Sequence, residues 1–210
     1  MLAAAGRASQ LDDLDLSAAG LALDARGVPV FDRTTLQCRD APVFIAGDAD
    51  AVAPVLHEAS DEGSIAGRNA VAFPAVSAET RSPGFAITFT DPPLAILGDA
   101  PTDDTVIGCA SYADQGRAKV EARATGLVCL YAAAPDGRLT GAELFCPGAD
   151  HMAHLLVYAI QRGETASGLL DLPFYHPTLE EGLKPALRDI CARTAIPLPT
   201  GRDSGAAPGA

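Results

Sequence analysis

One histidine and two carboxylates fall close together in the run Leu172-Pro173-Phe174-Tyr175-His176-Pro177-Thr178-Leu179-Glu180-Glu181-Gly182. Histidine is the side chain best able to take and return a proton near neutral pH, and a carboxylate that orients the imidazole raises its basicity. His176 is therefore a candidate general acid/base, with Glu181 its candidate orienter. The elements that would position them can be read from the same residues. Pro177 has a φ suited to a helix start, and Thr178 with Glu181 three residues on has capping-box spacing. The spacing predicts a helix beginning at this proline, with His176 held just outside it. A second reading uses the same atoms: Thr178 and Glu181 cap the helix, and the histidine is an ordinary loop residue.

Other residues with chemical potential are scattered along the chain. Pro42 to Asp48 reads as a buried strand ending in Gly47 and Asp48, where glycine permits close backbone approach and a carboxylate can accept hydrogen bonds from sugar-alcohol hydroxyls. Pro54 to Phe73 reads as a helix with a stripe of small residues, Ala59, Gly63, Ala66, Gly67 and Ala70, suited to tight packing. Leu56 and His57 lie in its first turn. His151 and His154 are three apart, but no third metal ligand accompanies them, so no metal is expected. Cys38, Cys109, Cys129, Cys146 and Cys191 form neither C-x-x-C nor C-x-x-x-x-C and read as reduced, mostly buried small hydrophobes.

The 210 residues suffice to bury a sizeable core, and a net charge of −12 without a basic run argues against nucleic acid and anionic membrane surfaces. The apolar runs are too short to span a bilayer, and the start lacks a signal-peptide pattern, so a cytoplasmic protein is expected. Met1 to Ala5 reads as a short buried strand before Gly6-Arg7, and Leu21 to Leu36 as short strands around the Asp24-Ala25-Arg26-Gly27 turn, with Val28 to Asp32 an edge strand. Pro74 to Pro83 marks a linker. Beyond it, strands are predicted at 84–90, 94–97, 105–112, 117–122, 127–132 and 139–145, with Pro135-Asp136-Gly137 turning the last hairpin. Two helices follow. One runs from Asp150 to Arg162 with Met152, Leu155, Leu156, Ala159 and Ile160 on one face; the other carries the His176 motif, buries Leu179, Leu183, Leu187 and Ile190, and is expected to kink at Pro185. The fold class is α+β, a mixed chain divided at 1–80 and 84–195 with a disordered tail at 196–210.

His176-Pro177-Thr178 with Glu181 closely resembles the C-terminal active-site segment of the dihydrolipoyl dehydrogenases, in the family of FAD-dependent pyridine nucleotide–disulfide oxidoreductases, whose pattern is His-Pro-Thr-x-x-Glu. The run Thr35 to Asp48 resembles that family's second FAD motif, and Gly6-Arg7 the end of its NAD domain, although Ala8-Ser9 replaces the usual Pro-Asn. The resemblance implies His176 as acid/base and Glu181 as orienter. It implies Gly47 and Asp48 on the flavin ribityl chain, Leu56 and His57 at a helix end facing the flavin ring, and Gly6 near the nicotinamide nucleotide. It further implies a partial FAD/NAD-binding region over 1–80 and an antiparallel-sheet-plus-helices dimerisation domain over 84–195 that makes a homodimer. The cofactors implied are FAD and NAD. The implied reaction is dihydrolipoamide plus NAD giving lipoamide plus NADH, with a lipoamide-bearing acyl carrier of a 2-oxo acid dehydrogenase complex as partner. His-Pro-Thr at 176–178 favours the lipoamide enzymes over relatives acting on other substrates.

The sequence also departs from the family. It contains neither the C-x-x-x-x-C redox pair nor G-x-G-x-x-G, the fingerprint that seats a dinucleotide pyrophosphate on a helix N-terminus. The chain is accordingly expected to be the C-terminal portion of a longer enzyme, colourless and inactive by itself. The alternatives are an inactive dimerisation or binding module, and a related flavoprotein disulfide reductase with another substrate.

Overall fold

A computed structural model describes residues 1–194 and 196–199 of the chain. Its contacts divide it into two units, Met1–Arg81 and a second beginning at Ser82.

The first unit has little regular structure before its one long helix. Met1 to Ala5, expected as a buried strand, is irregular and exposed, and no strand among the described residues pairs with it. The strands expected at 21–36 and 42–47 shrink to isolated antiparallel bridges, Leu23 with Pro29 and Gln37 with Phe44. Side-chain turns account for this. Asp24 accepts hydrogen bonds from the backbone N–H groups of Arg26 and Val28 at 2.8 and 3.0 Å, and Asp32 accepts from those of Thr34 and Thr35 at 2.7 and 3.0 Å. Such Asx turns offer the backbone an alternative to a ladder. The bond from Val28 leads in holding the Asp24 carboxyl below its ordinary pKa, and that from the Thr34 hydroxyl does the same for Asp32.

The helix expected at 54–73 forms as α1, Leu56–Ala72, but turns a different face inward. The buried positions are Glu58, Glu62, Ile65, Ala66 and Asn69, a helical stripe that is mostly polar. Gly63 and Gly67 are exposed, and a Cβ at either would meet nothing within 4 Å, so the two glycines of the small-residue stripe serve no tight packing, while Ala66 alone of the stripe is buried. Partners explain the reversal, since buried polar groups are tolerated when hydrogen-bonded. Arg81 Nη2 bonds Glu58 Oε2 at 2.6 Å and Glu62 Oε1 at 2.8 Å. Asn69 donates to the Thr35 and Ser77 carbonyls and accepts from Ser77 N–H. Apolar packing is limited to small clusters around Val28, Cys38 and Ile45 and around Leu36 and Ile65.

The second unit is the α+β arrangement that the strand and helix order implies. Strands β1 (Phe85–Thr88), β2 (Leu94–Gly98), β3 (Thr105–Ser111), β4 (Leu127–Ala133) and β5 (Arg138–Phe145) form one antiparallel sheet in the order β1-β2-β5-β4-β3. Between β3 and β4 runs α2, Gly116–Val120, where a strand over 117–122 is expected. Gln115 decides for the helix: its side chain accepts from Ala118 N–H at 2.7 Å, and Arg117 pairs with Glu121 one turn on. Asp136 and Gly137 turn the β4–β5 hairpin, the glycine at φ +64°.

Helices α3 (Ala149–Gln161) and α5 (Lys184–Thr194) cover one face, α3 on β2 and β5, α5 on β3 and β4. Short α4, Ala166–Leu170, is absent from the sequence reading and is capped by the Thr165 hydroxyl, which accepts from Gly168 N–H at 3.0 Å. Leu97, Val128, Leu130, Leu139, Leu144, Met152, Leu156, Leu183, Leu187 and Ile190 belong to one continuous apolar core. Pro185 lies in the first turn of α5, where its missing N–H costs nothing, so the expected mid-helix kink does not arise.

The expected all-reduced cysteines are overturned for two: Cys109 and Cys129 form a disulfide, with Cα atoms 4.2 Å apart. The β3–β4 register pairs them directly, which puts both side chains on one face, and sequence spacing alone does not reveal a register. Cys38, Cys146 and Cys191 are buried. Of the tail expected to be disordered from 196, residues 200–210 lie outside the described residues. Its first part is anchored, with Ile196 N–H donating to the Cys191 carbonyl and Ser167 Oγ to that of Pro197. Among the described residues no helix is long and apolar enough to cross a membrane.

Candidate functional site

The structure brings His176 and Glu181 together. Nδ1 of His176 lies 3.1 Å from Glu181 Oε1 and 3.0 Å from Oε2. A carboxylate only accepts, so Nδ1 carries the proton and Nε2 is the nitrogen with a lone pair for chemistry. The imidazole is 58% exposed while the Glu181 side chain is 7% exposed, so a buried carboxyl group orients a ring that is open to solvent.

The local fold differs from a simple capping box. The helix does not begin at Pro177; Glu180–Leu183 forms a 3-10 turn that leads into α5. Half of the box is made: Thr178 N–H donates to Glu181 Oε1 at 3.2 Å. The other half is not, because Thr178 Oγ1 donates backwards to the Tyr175 carbonyl at 2.7 Å. Glu181 thus caps the turn and orients the imidazole at once, and the two readings of the spacing describe one carboxylate.

Two residues that the sequence reading passes over hold this turn from behind. Fully buried Tyr112, at the end of β3, donates from its hydroxyl to the Leu179 carbonyl at 3.0 Å. Gln115 donates from Nε2 to the Thr178 carbonyl at 2.7 Å while its Oε1 caps α2. Burial holds the Tyr112 hydroxyl far above its ordinary pKa, so it stays a donor at every working pH. Gly182 lets the turn lie against them, since a Cβ there would sit 2.7 Å from the Tyr112 ring and 3.0 Å from Gln115 Cγ. Gly148, at the entrance to α3, is as close to Leu179, where a Cβ would meet Cδ1 at 2.7 Å. Glycines flanking a motif are the signal that such tight approach leaves in a sequence.

The remaining candidates, Gly6, Gly47, Asp48, Leu56 and His57, lie in the first unit. Arg7, Ser9, Gln10, Asp48, Ala49 and Pro54 line a groove of about 350 Å³. Arg7 Nη1 is 3.3 Å from Asp48 Oδ2, and Ser9 Oγ donates to the Asp48 carbonyl at 2.8 Å. The Asp48 side chain is 59% exposed. Gly6, at φ +79°, is exposed beside this groove. Leu56 and His57 are exposed at the start of α1, whose N-terminus has no side-chain cap. An exposed carboxylate in a groove and an uncapped helix start fit a polyhydroxylated, partly anionic cofactor such as FAD.

Gly47 packs against the helix. Its N–H donates to Glu62 Oε2 at 2.7 Å, and a Cβ there would lie 3.1 Å from that of Ala59, so this glycine seats the loop on α1. Asp50, fully buried below it, leaves Oδ2 without a hydrogen-bond partner. The two histidines of α3 diverge: His154 Nδ1 lies 2.9 Å from the Asp150 carbonyl, its ring edge-on to Phe85, and His151 Nε2 is 3.7 Å from Asp150 Oδ2.

Comparison with known proteins follows the same lines. Residues 85–187 match the model of the pyridine nucleotide-disulphide oxidoreductase dimerisation domain. Dihydrolipoyl dehydrogenase of Haloferax volcanii is 30% identical over 194 residues, covering 89% of this chain and 40% of that protein. Mercuric reductase of Acidithiobacillus ferrooxidans is 30% identical over 190 residues, covering 88% and 34%. The chain spans 34–40% of the length of these curated relatives. Among solved structures, the HOCl-induced flavoprotein disulfide reductase RclA of Escherichia coli shares the fold with a TM-score of 0.72 at 23% identity, over 88% of this chain and 44% of that one. LpdA of Mycobacterium tuberculosis does so with 0.72 at 22%, over 87% and 41%. With the sheet, its helices and the family model in agreement over the second unit, the chain carries the dimerisation domain of the pyridine nucleotide-disulphide oxidoreductases.

Proposed function

We propose that His176 and Glu181 are the acid/base pair of a flavin-dependent dihydrolipoyl dehydrogenase, and that the domain holding them forms a two-fold homodimer. The observation that carries this reading is the Glu181 carboxylate set against Nδ1 with both oxygens, which leaves Nε2 to exchange a proton. Nε2 takes a proton from a dihydrolipoamide-class dithiol, Glu181 stabilises the resulting imidazolium, and the same atom returns the proton in the reverse direction. The buried grip of Tyr112 and Gln115 keeps this geometry set before substrate arrives. Asp48 and the start of α1 would hold the flavin. When bound, FAD supplies the two-electron acceptor between thiols and nicotinamide. NAD, a lipoamide-bearing acyl carrier and a cytoplasmic setting belong to the same reading.

The dimer is supported by apolar surface left over on the second unit. Leu155, Tyr158, Leu172 and Pro173 line a groove of about 340 Å³, and the Tyr158 and Tyr175 side chains stand largely in solvent. An isologous interface would bury such a patch against itself.

The test completes the chain upstream of Met1 with the flavin- and disulfide-bearing half of a dihydrolipoyl dehydrogenase and follows NAD reduction by dihydrolipoamide. His176→Gln lowers turnover by about a hundredfold or more, and Glu181→Gln by less, since it acts through the imidazole and exchanges no proton with substrate. Turnover indifferent to His176→Gln would leave Glu181 a cap alone. The 210-residue chain without that half purifies colourless and silent, whereas stoichiometric flavin in it would show that the Asp48 groove and α1 suffice. Light scattering at monomer mass would remove the dimer.

A further inference from the structure

The sheet has two faces, and only one is covered by α3 and α5. On the other face the register lines up Ile96, Glu143, Cys129 and Cys109 in one row, and Leu94, Phe145, Leu127 and Ser111 in the next. Cys109 is exposed and Cys129 half-buried, and β3 is an edge strand of the sheet, so the bond between them lies at an open margin of the fold. None of the groups around His176 is needed for this site, and it stands independently of the function proposed above.

We propose that Cys109 and Cys129 are a reversible dithiol–disulfide couple that exchanges with small dithiols while the protein stays folded. Three features carry this. Sulfur on the uncovered face is reached by a thiolate without opening the core. The strands it joins do not depend on it: β3 and β4 are paired over seven residues, from Thr105 with Ala133 to Ser111 with Leu127. The alternate residues Gly108, Ala110, Val128 and Leu130 are buried on the helix-covered side. Finally, the other three thiols are buried, and burial pushes Cys146 up to about 12 and raises Cys38, so they do not compete for the exchange.

The chemistry closes with one reagent. A thiolate of the dithiol attacks the more exposed Cys109 sulfur, the protein S–S bond breaks, and Cys129 leaves as a thiolate that takes up the proton the dithiol gave up. The second thiol of the reagent then attacks the mixed disulfide, releasing Cys109 as a thiol and the reagent as a cyclic disulfide. Two electrons pass to the protein, and an oxidised cyclic disulfide of the same class reverses the step.

The experiment uses the full chain and dithiothreitol, with thiols counted by a chromogenic disulfide reagent. The oxidised native protein shows no readily reacting thiol, and the same sample unfolded in guanidinium shows three. After dithiothreitol the native protein shows two, which disappear on adding oxidised dithiothreitol, while circular dichroism is unchanged. The melting temperature falls by about 10 °C, the cost of releasing a 20-residue cross-link in the unfolded chain. Cys109→Ser shows one reactive thiol, Cys129, in the native state. Five thiols in the unfolded sample before reduction would show that no bond forms. Two thiols that appear only with loss of the dichroism signal would make the bond a structural staple. Either result overturns the proposal.

Discussion

The two units of this chain solve the problem of burial in opposite ways. The second encloses one continuous apolar core between a five-stranded sheet and its helices. The first has small apolar clusters and sets Glu58, Glu62 and Asp50 inside, the two glutamates countered by Arg81. Apolar burial is non-directional and tolerates imperfect geometry, whereas a buried ion set holds only while every partner is in place. The second unit therefore has the materials of an independent fold, and the first depends on a polar network within a few residues of its groove.

Removing the cation tests this most severely. Arg81→Leu leaves two buried carboxylates without their counter-ion and should cost the first unit about 4 kcal/mol, the usual loss when one side of a buried pair is deleted. Hydrogen exchange should show α1 and the Gly47 loop open while the sheet amides keep their protection. Protection lost equally in both units would mean that they fold as one. The matching change in the second unit is Leu187→Ala, at a fully buried position of α5, for about 3 kcal/mol read from urea unfolding of the sheet. A loss below about 1 kcal/mol there would show a core able to collapse around the cavity.

A change in pH separates the units without a deletion. Burial foremost, with Asp50 and Glu58 nearby, raises the Glu62 carboxyl above the ordinary glutamate value of 4.5, against the Gly47 N–H and Arg81 which lower it. Between that value and its raised one the folded state holds a proton that the unfolded chain has lost, so the stability of the first unit falls as pH rises through this window. Glu62→Gln should flatten that slope, as measured by urea midpoints of α1 amides from pH 4.5 to 7. An unchanged slope would remove Glu62 as its source.

What could be read in advance follows the same division. In the second unit period-two apolar runs, tight turns and the α3 stripe are local signals, so the sheet strands and α3 lie close to their expected bounds, whereas α5 begins at Lys184 and not at Pro177. Helix in place of strand at 117–122 follows from one cap by Gln115, which sequence periodicity does not weigh. In the first unit, 42–47 has the composition of a buried strand but no neighbouring strand to pair with beyond one bridge. The inward face of α1 is not legible locally because Arg81, whose guanidinium makes Glu58 and Glu62 tolerable inside, lies far along the chain. His176 and Glu181 were legible because five residues and a turn suffice to join them. Tyr112 and Gln115 were not, being more than sixty residues away in sequence.

The smallest effect expected is also the most specific to the candidate site. Tyr112→Phe keeps the ring against Gly182 and removes only the hydroxyl that donates to the Leu179 carbonyl. The stability lost should be about 1 kcal/mol, the net worth of one hydrogen bond. If the hydroxyl merely satisfies a buried carbonyl, that is all that changes. If it positions the turn, Glu181, two residues beyond Leu179, gains freedom, and the imidazole of His176 loses a fixed partner for Nδ1. Nitrogen NMR of the imidazole distinguishes the two, because the ring nitrogens of one tautomer have widely different shifts and those of a mixture converge. In Tyr112→Phe the His176 pair should converge while those of His151 and His154 on α3 do not move. Gln115→Ala should act the same way through the Thr178 carbonyl. A His176 signal identical to that of the unmodified chain in both variants would show that Glu181 holds the imidazole from its own 3-10 turn, without the grip of β3 behind it.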